Sequence, residues 1–237
     1  TATLTTAGLP AAITSRVGSL ADGYKVVYKY DIPIRSDFRY IHKSTIIDQS
    51  DETNAFDRVA YYMELVRQSD GATQYVWSAF DKVTPERKHL GVPTFENRAY
   101  FGTIISNLTV KSNVVTSGNF VDGGNIEFWP CNYSVENDLG IPNASATSYD
   151  FCDKCDANHS GDYGSMQIHN HSNGQTLMAR NHFGNDGLIT DVGIGNFNYN
   201  YGQSYDWTFT ANAENYCKRT LYVLVHTVDS VAAIAGD

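Results

Sequence analysis

Two apolar runs, RVAYYMELV (58–66) and QYVWSAF (74–80), flank the segment RQSDGAT, whose Asp70-Gly71 pair is a hairpin turn signal. Short runs of this kind recur along the chain, and no stretch carries an apolar period of 3.6 over ten or more residues. That combination calls for strands and excludes a helical bundle. YKVVYKYDIPI (24–34) alternates as a strand does, and AYFGTIISNLTVKSNVVTSG (99–118) reads as one long or two short strands. GGNIEFWPC (123–131) is another, stopped by Pro130, and TLYVLVHTV (220–228) is the clearest late one. The expected fold is all-β: a β-sandwich, jelly-roll-like, with long loops and little helix.

One domain is expected over residues 24–230, followed by a tail at 231–237. Residues 1–23, TATLTTAGLPAAITSRVGSLADG, are short-side-chained and nearly uncharged, so they read as an extended arm or an edge strand. The chain starts at Thr1 without Met, as a processed protein or a piece of a longer one would. GIGNFNYNYGQSYDW (193–207) reads as a long surface loop leading into a DWTF strand. No apolar run approaches the roughly 18 residues of a membrane span.

Charge narrows the function classes. Lys and Arg number 17 against 26 Asp and Glu, for a net charge of −9. Nucleic-acid binding needs clustered cations, and the chain has no basic run. Five Asn-x-Ser/Thr sequons, at Asn107, Asn132, Asn143, Asn158 and Asn170, accompany an even number of cysteines. Together with the acidic balance they point to a secreted, extracellular glycoprotein.

GSMQIHNHSNGQTLMARNHF (164–183) concentrates three histidines in one hairpin. If Asn173-Gly174 forms a two-residue turn, His171 faces Thr176, His169 faces Met178, Gln167 faces Arg180 and Ser165 faces His182. One face then carries Ser165, Gln167, His169, His171, Thr176, Met178, Arg180 and His182, and the other Met166, Ile168, Leu177 and Ala179. His169 and His171 could share a metal, but His182 falls roughly 13 Å from His169 and cannot be the third ligand. A solvent-facing or structural pair is the expectation. The same register turns Asn170 towards the apolar face; Asn132, Asn143 and Asn158, among loop residues, are the better glycosylation sites, and Asn107, within an expected strand, is a further candidate.

The remaining constellations are partial. Cys152 and Cys155, with a histidine four residues on, are half a zinc knuckle without its second half. Disulfides fit a secreted chain better: Cys131 with one of Cys152 and Cys155, and Cys217 with the other. Asp150, Asp153, Asp156 and Asp162 are dense enough to raise calcium, though their spacing fits no EF-hand loop. Tyr199, Tyr201 and Tyr205 could stack on sugar rings, while Trp207 reads as core. No Gly-x-Ser-x-Gly elbow is present, and no Gly-rich phosphate loop precedes a helix.

In order and spacing, AFDRVAYYMEL, DGGNIEFWP, GIPNASATSYDF, DYGSMQIHNH, QTLMARNHF, VGIGN, DWTFTANAENY and KRTLYVLV resemble a β-rich module of large secreted or surface proteins of planctomycete-type bacteria, proteins labelled sialate O-acetylesterase-like. The resemblance runs from about residue 24 to 226. It implies an accessory module in a carbohydrate-rich extracellular setting and carries over no catalytic residue. The four cysteines depart from the bacterial pattern, which with the sequons suggests a eukaryotic secreted relative.

Three functions remain in play. The first is a non-catalytic module that engages glycans or extracellular matrix. The second is a subunit of a filament or coat, a homo-polymer in which residues 1–23 add a strand to a neighbour. The third is a carbohydrate esterase that depends on His169 or His171.

Overall fold

The structure, a computed structural model, describes residues 8–34, 45–93, 101–121, 123–129, 164–183, 189–195 and 212–228. Among these residues twelve strands are formed: β1 (Tyr24–Asp31), β2 (Thr45–Asp48), β3 (Phe56–Arg67), β4 (Thr73–Asp81), β5 (Phe101–Ile105), β6 (Leu108–Ser112), β7 (Gly118–Phe120), β8 (Gly124–Trp129), β9 (Gly164–Asn170), β10 (Gln175–Phe183), β11 (Ile189–Gly193) and β12 (Tyr216–Thr227). They make two antiparallel sheets, of order β2-β1-β12-β3-β4-β6-β7 and β11-β10-β9-β8-β5. The all-β expectation holds. Jelly-roll connectivity is not confirmed, because β8 to β11 are consecutive neighbours in a meander. Residues 99–118 resolve into two short strands, β5 and β6, which belong to different sheets.

The two sheets share one apolar cluster. Val59, Tyr61, Met63 and Leu65 of β3 line it from the seven-stranded sheet, and Ile126, Phe128, Met166 and Ile168 line it from the other. Tyr61 meets Phe128 edge-on, with ring centroids 5.6 Å apart. The period-2 alternation of β3 places Ala60, Tyr62 and Glu64 on its opposite face, and those residues are buried as well.

What buries them corrects the reading of the N-terminus. Over the described part of residues 1–23 there is no extended arm; Ala11–Val17 form a helix, α1, followed by a 3-10 turn at Gly18–Ala21. Pro10 opens the helix, its carbonyl accepting from the amides of Ile13 and Thr14, and Gly18 closes it at φ 63°. Ile13 and Val17, one turn apart, are buried against Ala60, Tyr62, Trp77 and Leu224. Each such side chain removed from water stabilises by about 1.5–3 kcal/mol. Part of the outer face, around Ala60, Tyr62, Trp77 and Leu224, is therefore covered by the chain's own N-terminal segment. Residues 1–7 and 231–237 lie outside the described residues. Among the described residues no helix is long and apolar enough to cross a membrane.

Candidate functional site

The histidine hairpin is present but its register differs from the two-residue turn. Asn170 pairs with Gln175 and His169 with Thr176, leaving His171, Ser172, Asn173 and Gly174 as a four-residue turn. Two Asn side chains build it: Asn170 Oδ1 accepts from the Ser172 amide at 2.9 Å, and Asn173 Oδ1 from the Gln175 amide at 3.2 Å. A register shift between Thr176 and Met178 then reverses the alternation, so that Ile168 pairs with Met178, Gln167 with Ala179 and Met166 with Arg180.

That shift moves three side chains from the faces expected of them. Met178 and Arg180 turn to the core with Met166 and Ile168, and Ala179 joins Gln167. Arg180 is 1% exposed, with its guanidinium carbon 5.7 Å from the Tyr30 ring centroid. Burial lowers Arg180 to about 10, against the opposing influence of Tyr30.

Gln167 and His169 stay on the polar face, where β8 adds Asn125 and Glu127, β10 adds Thr176 and Asn181, and β11 adds Asp191. This face is not open to solvent: all seven side chains are fully buried. His169 Nε2 lies 2.8 Å from Glu127 Oε1, and His169 Nδ1 lies 3.4 Å from Thr176 Oγ1. His171 is half-buried and pairs Nε2 with Asn125 Oδ1 at 2.8 Å; burial pushes it below its ordinary value. Asn212 closes the strip, its amide donating to Asp191 Oδ1 at 3.1 Å and its side chain pairing with both backbone groups of Val192. The two candidate metal-ligating rings thus each face a partner of their own. Among the described residues no three His, Cys, Asp or Glu side chains converge on a metal position. Glu127 and Asn125 escaped the sequence reading, though they alternate with Ile126 and Phe128 in GGNIEFWPC.

Among the described residues, two open concavities lie elsewhere and share no lining residue. The larger, about 460 Å³, is a groove between the Gly18–Ala21 turn and the β6–β7 hairpin. Its floor is Trp77 and Tyr24, set edge-on with centroids 4.9 Å apart, and His226 lies 5.3 Å beyond Tyr24. Its rim is polar and already oriented. Arg58 Nη1 donates to Asp81 Oδ1 at 2.9 Å, Asn107 Nδ2 donates to Asp81 Oδ2 at 2.6 Å, and Thr109 Oγ1 donates to Asn119 Oδ1 at 2.9 Å. Leu20 and Val121 stand exposed at its edge. The smaller, about 410 Å³, lies at the open end of the β3–β4 hairpin, between residues 50–56 and 82–88.

Of the glycosylation sites, Asn107 is exposed in the tight turn between β5 and β6, at φ 53°. Asn170 is fully buried, as its place near the apolar face implied. Cys217 is exposed, with its sulfur 3.5 Å from the Val66 carbonyl. Asn132, Asn143, Asn158, Cys131, Cys152, Cys155, Tyr199, Tyr201, Tyr205, Trp207, Asp150, Asp153, Asp156 and Asp162 lie outside the described residues. Comparison with protein-family models, curated proteins and solved structures finds no match.

Proposed function

We propose that the chain is a non-catalytic extracellular module that binds glycans or matrix through the groove beside α1. The observation that carries this reading is the groove's rim: the Arg58 guanidinium, the amides of Asn107 and Asn119 and the Thr109 hydroxyl are held in place by hydrogen bonds, over Tyr24 and Trp77, which are themselves buried. Ligand sites are concavities of about 300–1,000 Å³, mostly apolar with a few fixed polar groups. Saccharides present C–H faces and paired hydroxyls that suit such a lining. The sequons and the resemblance to modules of secreted proteins support the extracellular setting.

The esterase reading has less to support it. A general base must reach the proton it abstracts. His169 is fully buried at ion-pair distance from Glu127, and His171 faces Asn125. The strand-adding polymer keeps only residues 1–7 as donor, since residues 11–21 are wound against their own sheet.

A glycan array probed with the wild-type chain and with Asn119→Ala tests the proposal. Asn119 is exposed, so its loss should leave the fold intact. Saturable binding that the variant loses is the expected result. No saturable binding across the array would overturn glycan recognition.

A further inference from the structure

We propose that the pocket at the open end of the β3–β4 hairpin binds a carboxylate-bearing, hydroxylated small molecule, of the uronic-acid class, through the Nε–Nη2 edge of Arg87. The groove plays no part in this inference.

Arg87 is 4% exposed, and its Nη1 donates to the Glu52 carbonyl. Its Nε and Nη2 have no hydrogen-bond partner, and no carboxylate among the described residues forms an ion pair with it. A buried guanidinium without a counter-charge is costly, and the Nε–Nη2 edge is the fork that matches the two oxygens of a carboxylate. A second cation stands nearby. The Arg87 guanidinium carbon lies 5.4 Å, and the Lys82 ammonium 5.6 Å, from the centroid of the same Phe56 ring. Lys82 lines the same pocket as Arg87, so the pocket wall carries a second positive charge that would add to the attraction for an anion.

The acidic residues of the wall favour a monoanion. Glu86 is held by Lys88 at 2.9 Å and lies 3.7 Å from His89, which leaves it engaged away from Arg87. Asp51 and Glu52 are exposed and would oppose a doubly charged phosphate more than a carboxylate. Ser50, Thr53 and Asn54 supply hydroxyl and amide groups for the rest of a hydroxylated ligand.

The test is a titration of the ¹⁵N-labelled wild-type chain with glucuronate, glucose and inorganic phosphate, read at the Arg87 Nε–H resonance. A saturating shift with glucuronate, absent with glucose and weaker with phosphate, is expected. No saturating shift with glucuronate, or an equal response to glucose, overturns the proposal; tighter binding of phosphate overturns the carboxylate assignment. Arg87→Lys keeps the charge and loses the fork, and should weaken glucuronate about tenfold or more. Should that buried substitution unfold the chain, Lys82→Ala, at an exposed position, supplies the second variant. It should weaken glucuronate several-fold, and unchanged affinity there would remove the two-cation argument.

Discussion

His169 Nε2 lies 2.8 Å from Glu127 Oε1, with neither side chain exposed to solvent. Removing one member of such a pair leaves the other buried and uncompensated, at a cost of about 3–5 kcal/mol. Glu127→Ala is expected to destabilise by that amount in urea unfolding. The double substitution His169→Leu with Glu127→Leu should cost clearly less than the two single changes added together. Single variants within about 0.5 kcal/mol of wild type, the range of ordinary surface changes, would show that the pair contributes nothing to the sheet.

A second expectation concerns acid. Glu64, nearly buried on the outer face of β3, accepts from Lys218 Nζ at 3.0 Å and from Tyr62 OH at 3.0 Å, and contacts Arg16 of α1. Burial alone would raise its carboxyl; the hydrogen bonds from Lys218 and Tyr62 and the charges of Arg16 and Lys218 outweigh it and hold the group below its ordinary value. A carboxyl depressed in the folded state contributes stability above its unfolded value, and that contribution is lost as pH falls through the folded one. Acidification below about pH 4 should therefore loosen α1 before the sheets. Hydrogen exchange at residues 11–21 as a function of pH measures it. Glu64→Gln should remove the acid step; an unchanged step in that variant would place its origin elsewhere.

The helix itself can be tested by packing. Ile13 is fully buried among Ala60, Tyr62, Trp77 and Leu224. Ile13→Ala is expected to cost about 2–5 kcal/mol. Deletion of residues 1–20 should bare that apolar face and produce a destabilised, aggregation-prone chain. A fully stable deletion variant would restore the independent-arm reading.

Two turn signals of the same kind behaved differently, and the reason is physical. Asp70-Gly71 marked the β3–β4 turn, where Gly71 takes φ 71° and Asp70 accepts from the Ala72 amide. Asn173-Gly174 also marked a turn, with Gly174 at φ 67°, but Asn170 added a side-chain bond that lengthened the loop by two residues. Such a bond depends on which rotamer the neighbours permit, which a dipeptide rule does not carry. The helix was missed because only Ile13 and Val17 record its period, too few for a seven-residue element to stand out. The polar strip around His169 was legible as alternation, but its burial was not, since alternation gives the face of a side chain and not what lies over it. Arg87 left no pattern at all: its environment joins two loops some thirty residues apart.

Close backbone approach gives a sharp expectation at Gly124. A Cβ added there would lie 1.6 Å from the His169 carbonyl oxygen, which is backbone and has no rotamer to yield. Gly124 pairs with both Ile105 and Asn170, so β8 cannot shift from one neighbour without losing the other. Gly124→Ala should cost more than about 4 kcal/mol, in the range reserved for severe core disruption. Thermal unfolding of the purified variant measures it, and a wild-type midpoint would mean that β8 sits farther from β9 than its pairing indicates.

A glycan at Asn107 would compete with a ligand in the proposed groove. Its side-chain nitrogen, the atom a glycan would take, donates to Asp81 Oδ2, and the residue lines the groove proposed to bind glycans. A sugar attached there would occupy the groove's own rim. Its φ of 53° also restricts what can replace it: glycine fits that conformation, whereas a β-branched side chain costs about 1–2 kcal/mol. In chain expressed in a glycosylating host, the fraction carrying a glycan at Asn107 should bind groove ligands more weakly than the unmodified fraction. Asn107→Gly, which removes the sequon and keeps the backbone, should give a single population that binds at least as well as the modified one. Peptide mapping by mass spectrometry, followed by binding measurements on the separated fractions, decides it. Equal affinity in both fractions would move the binding surface away from this rim.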